Sequence, residues 1–135
     1  MIVAVIAIVI AVAALAAPYI LPAGSTTGET SSQTREFYVF SAENTFDLTP
    51  KGLTHYIFSP SQITVNQGDT VLIHFYNAHN DTHHTFALPA YNINVDLAPN
   101  LNQDIRFTAS QPGVFTFMCS VHPATMRGQL TVLPA

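Results

Sequence analysis

The only cysteine of this chain stands in the octapeptide Cys119-Ser120-Val121-His122-Pro123-Ala124-Thr125-Met126. A thiol, an imidazole and a thioether therefore share one short segment, with two residues between the first pair and three between the second. Soft sulfur combined with imidazole suits copper, and two histidines, one cysteine and a weak axial methionine form the donor set of a type 1 (blue) site. A single ion needs its donors to converge from one side, which a compact loop arranges at little cost. Pro123 stiffens that loop, and Gly128 is expected to let the backbone turn into a last strand. Zinc is the rival metal, but its structural sites favour several Cys or His donors and rarely take methionine. Met126 has loop packing as its alternative role. The segment lacks one histidine of the set.

His55, His74, His79, His83 and His84 are the candidates for it. In the run 114–119, residues 115, 117 and 119 share one face, because side chains alternate along a strand. Phe115 and Phe117 point inward, so Cys119 ends the inner face and Met118 turns away from it. His74 alternates against Val71, Ile73 and Phe75, which places it on the solvent side. His55 lies far upstream among residues of no other ligand type. His79 sits in a loop and stays a candidate. His83 and His84 are adjacent and face opposite ways in extended chain. His84 has the parity of Phe86 and Leu88, so it is the chosen partner, with His79 and His83 as alternatives.

The elements that must position these groups are short. Apolar runs at 37–40, 56–58, 63–65, 71–76, 84–88, 93–97, 105–107, 114–119 and 130–133 are broken by turn residues. No long helical period occurs after residue 22. This pattern predicts seven or eight strands in an all-β, Greek-key β-sandwich. Asn66-Gln67-Gly68-Asp69 reads as a turn of the hairpin kind, and Gln111-Pro112-Gly113 as another turn. The aromatic residues are assigned to the core.

The N-terminal part is different in kind. Residues 2–17 are apolar without a charge, close to the roughly 20 residues that cross a bilayer. Residues 1–22 are therefore expected to be a hydrophobic helix, either a membrane anchor or a signal segment. Ala14-Leu15-Ala16 offers a cleavage pattern, but the first basic residue is Arg35, which favours a retained anchor. Residues 23–35 read as a flexible Gly/Ser/Thr linker and residues 36–135 as the folded domain. Either N-terminal reading places that domain outside the cytoplasm, membrane-anchored or exported. A formal charge of −4, with four basic residues in 135, argues against nucleic acid as a partner. A lone cysteine in an exported chain has no internal disulfide partner, which fits a thiol kept for a metal.

At this point the chain resembles the cupredoxin family over residues 57–133. Phe58-Ser59-Pro60 through Gly68-Asp69-Thr70-Val71 is similar to the strand-turn-strand before the first ligand, and His84-Thr85-Phe86 to the first-histidine motif. Gly113-Val114-Phe115-Thr116-Phe117-Met118-Cys119 and Met126-Arg127-Gly128-Gln129-Leu130-Thr131-Val132 resemble the strands that bracket the ligand loop. The resemblance implies one copper per chain, bound by His84, Cys119, His122 and Met126. It also implies that Thr85 bonds the cysteine loop. Asn92-Ile93-Asn94-Val95, eight residues after His84, is similar to the binuclear CuA domain of haem-copper oxidase subunit II. That centre needs two bridging cysteines on a longer loop, so one cysteine makes this a mononuclear site on a CuA-like scaffold. The three residues between His122 and Met126 differ from the four of plastocyanin-like loops.

The leading functional expectation is one-electron transfer between membrane-associated respiratory redox partners, with His122 as the exit. Pro123 and Ala124 beside it give an apolar, uncharged patch suited to transient docking. An enzymatic alternative is a copper-dependent oxidoreductase acting on a small molecule such as nitric oxide or hydrogen peroxide. A copper carrier is the weakest alternative, because Met1 and Met118 are the only other methionines.

Overall fold

The computed structural model describes residues 31–46 and 48–135. Nine strands among these residues form two sheets of an all-β sandwich. β1 (Thr34–Glu43), β2 (Tyr56–Ser59), β4 (Thr70–Tyr76) and β7 (Asn102–Thr108) build a four-stranded sheet in the order β2-β1-β4-β7. β3 (Gln62–Asn66), β5 (His84–Leu88), β6 (Ile93–Leu97), β8 (Gly113–Met118) and β9 (Arg127–Leu133) build a five-stranded one in the order β3-β9-β8-β5-β6. Both sheets are mixed, since β1 runs parallel to β4 and β3 runs parallel to β9. Among the described residues, helix is confined to single 3₁₀ turns at Thr49–Lys51 and Pro89–Tyr91.

Alternation explains which side chains fill the space between the sheets. In β4, Val71, Ile73 and Phe75 are buried while Leu72, His74 and Tyr76 stay half-exposed. Phe58 from β2 meets Phe75, Phe86 and Phe117 edge-on, with ring centroids 6.0, 5.8 and 5.3 Å away. Such edge-to-face pairs each add about 0.5–1.5 kcal/mol beyond the area they bury. The aromatic cluster lies one step below the end of β8, so the residue that follows β8 is held on a rigid base.

Three local expectations change. The strand number among the described residues is nine, one for each apolar run, and β2 and β3 belong to different sheets. β2 pairs with β1 and β3 with β9, and the chain crosses between them at Pro60, which has no N–H for a ladder. The 66–69 turn likewise joins β3 to β4 in opposite sheets and closes no hairpin. Turn residues specify a reversal of direction but not which strands then pair. Asp69 finishes this turn from a buried position, accepting the N–H groups of Gln33 and Asn66 (2.9 Å each) and Arg35 Nε (3.1 Å). Those bonds hold its carboxyl below the usual carboxylate range. Gly128 does not make the turn into the last strand. It lies inside β9 opposite Phe117, and it is there because a Cβ would strike that ring.

The outer face of the four-stranded sheet carries a carboxylate–imidazole clamp. His74 stands between Glu36 and Asp104, its Nε2 and Nδ1 each 2.6 Å from a carboxylate oxygen, with Tyr38 stacked on the ring at 4.7 Å. The Glu36 and Asp104 hydrogen bonds raise the His74 pKa above 6.5, against the opposing effect of burial. The folded chain therefore binds this proton more tightly than the unfolded one. Its contribution to stability is complete below pH 6.5 and is lost as pH rises through the raised value. The melting temperature is expected to fall as pH rises from 6.5 through that raised value, and His74→Gln is expected to flatten that slope. Thermal melts of both proteins across this range, read by circular dichroism, check it.

Among the described residues no helix is long and apolar enough to cross a membrane. The anchor or signal expected over residues 1–22 lies outside the described residues, as does most of the expected linker.

Candidate metal centre

β5 and β8 neighbour each other in the five-stranded sheet and deliver the site between them. β5 opens with His84 facing inward, in step with Phe86 and Leu88 as the alternation requires. Cys119 follows β8 directly and is fully buried, as are His84 and Met126. The loop then folds back on itself. His122 N–H donates to Cys119 O (3.2 Å), Met126 N–H to His122 O (3.0 Å) and Cys119 N–H to Met126 O (2.9 Å). Arg127 Nε closes the loop from outside on Pro123 O.

His84, Cys119 and His122 come together, with one donor atom from each all within 4.8 Å of one another. The Cys119 Sγ lies 3.8 Å from His84 Nδ1 and 3.7 Å from His122 Nδ1. Both imidazoles thus turn the same nitrogen toward the sulfur. Two bonds from Thr85 fix the sulfur end: its N–H donates to Sγ (3.3 Å), and its Oγ1 accepts the Ser120 N–H (2.6 Å).

Burial, reinforced by the nearby His79 and His122, pushes His84 down to about 4. Burial and then His79 also lower His122. His84 is therefore neutral at pH 7 and His122 is biased the same way, and neutral imidazole is the ligating form. The donor set, its burial and its neutrality fit a copper ion.

The remaining histidines separate as follows. His83 points away from the site, 58% exposed and 3.6 Å from Asp96. His74 is on the outer face, as its alternation indicated. His55 is partly exposed beside Glu43. His79 lies directly behind His84, its Nδ1 3.0 Å from His84 Nε2, and so does not join the sulfur-facing group. Tyr56, which the sequence reading placed in the core without a further role, caps the imidazoles. Its ring centroid lies 4.9 Å from His84, 4.6 Å from His122 and 4.8 Å from His79, and its Oη reaches Thr82 Oγ1 at 3.2 Å. The available signal was parity: Tyr56 shares the inner face of β2 with Phe58 and stands at the end of that strand.

Comparison with known proteins agrees with this geometry. The model of the cupredoxin-like domain matches residues 4–132. The copper nitrite reductase of Nitrosomonas europaea is similar at 25% identity and a TM-score of 0.60, over 75% of this chain and 42% of that one. This chain thus spans about two fifths of the nitrite reductase chain. Auracyanin A, a blue copper protein of Chloroflexus aurantiacus, aligns at 21% identity and a TM-score of 0.57, over 73% of this chain and 98% of that one. The blue copper oxidase of Nitrosomonas europaea aligns at 22% identity and a TM-score of 0.64, over 75% of this chain and 39% of that one. The last two share the fold; the finer likeness to the CuA branch stays an expectation of the sequence. Copper is the cofactor that this donor set and this family have in common. The chain belongs to the family of cupredoxin-like domains.

Proposed function

We propose that the chain is a mononuclear type 1 copper protein that transfers single electrons, with His84, Cys119, His122 and Met126 as the ligands. The observation that carries this reading is the convergence of a buried thiol and two neutral imidazoles on one point, held by Thr85 and by a loop bonded to itself. Copper bound there supplies a centre that cycles between one- and two-positive states. The chain's own part is to keep that centre from rearranging. The Thr85 bonds fix the sulfur, the three loop bonds fix His122 and Met126, and the Tyr56 ring restricts both imidazoles. Met126 is fully buried, which supports a weak donor shielded from water.

His122 is the proposed exit for the electron. It is less buried than His84, and exposed Val121, Pro123 and Ala124 surround it with apolar surface. The proposed partners are redox proteins of a respiratory chain outside the cytoplasm, with the domain anchored through residues 1–22. Strand β1 supports that orientation. It begins at Thr34, where the linker would enter, and ends at Glu43, beside the histidine cluster. Ten residues of strand place these ends about 30 Å apart, so the site would face away from the anchor.

Loading the full chain with Cu(II) tests the reading by metal analysis, absorption and EPR. One copper per chain with an intense thiolate charge-transfer band, bleached on reduction, is the expected result. Two coppers, or none, overturn it. The likeness to a copper nitrite reductase raises a second reading, a copper-dependent oxidoreductase acting on a small nitrogen oxide. Turnover of nitrite or nitric oxide by the loaded chain, abolished by Cys119→Ser, would establish that activity.

A further inference from the structure

β2 belongs to the four-stranded sheet, yet its inner face grips the metal-bearing segment of the other sheet at successive points. Side chains alternate along extended chain, so Phe58, Tyr56 and, just upstream of the strand, Thr54 share one side. Phe58 meets Phe117 at 5.3 Å between ring centroids, two residues before the cysteine. Tyr56 meets His122 at 4.6 Å. Thr54 Oγ1 lies 2.8 Å from Thr125 Oγ1, a hydrogen bond between residues 71 positions apart. The three contacts follow β8 and its loop in order, ending one residue before Met126. The rail that makes them is itself fixed. Tyr56 pairs with Glu43 of β1, and just past that pair the Asn44 N–H donates to His55 O at 2.6 Å.

The Thr54 contact falls where the loop is least constrained by its own backbone. The bonds among Cys119, His122 and Met126 close the base of the loop. Pro123 and Ala124 at its tip are exposed, and Arg127, which reaches Pro123 O from outside, is exposed as well. Thr125 is half-buried and tied by its hydroxyl to the opposite sheet. Thr125 lies between the ligands His122 and Met126, so neither can swing out of the site far without drawing Thr125 off Thr54. We propose that Thr54 is a positioning residue for the copper loop: its bond to Thr125 latches the loop to the opposite sheet and slows the release of copper. One neutral hydrogen bond shifts an opening equilibrium by about fivefold. The part concerning copper rests on the ligand set proposed above, whereas the latch itself is a property of the metal-free chain.

Four variants of the full chain test it. Thr54→Val keeps the branched shape and removes the hydroxyl, Thr54→Ser keeps the hydroxyl, Thr125→Val removes the partner, and the double Val variant completes a cycle. The measurements are amide exchange by NMR in the metal-free chain and the rate at which loaded copper passes to the Cu(I) chelator bicinchoninate. In Thr54→Val the His122 and Met126 N–H groups are expected to exchange about fivefold faster, with those of β4 unchanged, and copper to leave about fivefold faster. Thr54→Ser is expected to stay near wild type. Thr125→Val is expected to match Thr54→Val, and the double variant to be no worse than either. Unchanged loop exchange in Thr54→Val overturns the proposal. So does equal acceleration in β4, which would mark a general loss of stability. A Ser variant that behaves like Val would mark packing of the methyl group as the cause, and additive effects in the cycle would show that the two hydroxyls act apart; either overturns it. Faster loop exchange without faster copper release overturns the role toward copper. Should Thr54→Val fail to fold, Thr125→Val gives the same two readouts from the loop side. A wild-type chain that binds no copper would sink the copper reading, while the exchange measurement still decides the latch.

Discussion

Cys119→Ser is expected to give a folded chain whose copper-loaded form has lost its intense visible band and at least about 100-fold of its copper affinity. Loss of a group that merely orients a ligand already costs about 10- to 100-fold, and here the strongest ligand itself is exchanged. A serine hydroxyl keeps its proton at neutral pH and is a hard donor, whereas the thiolate is soft and matched to copper. The fold has little reason to fail. The new Oγ is smaller than Sγ and can still accept the Thr85 N–H that reaches Cys119 at 3.3 Å, so no buried donor is orphaned. The core beneath, built on Phe58, Phe86 and Phe117, is untouched. Copper titration, absorption and EPR measured beside a thermal melt separate the two effects. Retention of the band would mean that the chromophore does not involve this sulfur. Loss of the band together with collapse of the fold would give Cys119 a packing role that its contacts do not suggest.

The part of the site carried by one loop was legible in the sequence, because spacing along 119–126 and alternation along 114–119 are local quantities. The structure accordingly finds Cys119 at the inner end of β8 and His122 beside its sulfur. His84 required a longer argument, since a residue 35 positions away can be paired with Cys119 only through the shared parity of His84, Phe86 and Leu88. That argument worked because β5 has one face fixed by large apolar side chains. His79 and Tyr56 escaped it for a physical reason. His79 belongs to a loop whose path is set by Asn77 bonding to Thr82 and Leu97, and no periodicity describes a loop of that kind. Tyr56 reads as one more core aromatic until β2 is seen to end against the histidines. The sheet partners escaped for another reason. Runs 56–58 and 63–65 look like neighbouring strands of one sheet, but β2 and β3 lie in different sheets, and each parallel pairing joins strands far apart in the chain.

Gly128→Ala is expected to be the most destabilising of the single-methyl changes, and its cost comes from space rather than from backbone conformation. A Cβ on Gly128 would lie 2.1 Å from Phe117 Cζ, 2.3 Å from Phe117 Cε2 and 2.6 Å from the Ser61 carbonyl oxygen. The ring cannot swing clear, because Phe58 at 5.3 Å and Phe86 at 4.9 Å hold it on the other sides. The Ser61 oxygen cannot retreat either, because it accepts the Gln129 N–H at 2.8 Å in the junction of β3 and β9. Overpacking of a filled core costs about 1–3 kcal/mol and sometimes more, and two immovable neighbours place this change at about 3 kcal/mol or above. For a domain of this size that is a fall of roughly 10–20 °C in melting temperature. Gly52→Ala provides the contrast. Gly52 has a φ of +66° but nothing within 4 Å, so it pays only the left-handed backbone penalty of about 1–2 kcal/mol. Introduced into a Phe117→Ala background, Gly128→Ala meets only the Ser61 oxygen, and its penalty is expected to shrink. Because Phe117 stands two residues before Cys119, displacement of its ring also moves the sulfur, and copper affinity is expected to fall with stability in Gly128→Ala but not in Gly52→Ala. Melting curves and copper titrations of the two glycine variants, with the double variant as a cycle, measure this directly. Equal losses in both glycine variants, or a penalty unchanged by removing the ring, would show that the clash with Phe117 is not what keeps residue 128 a glycine.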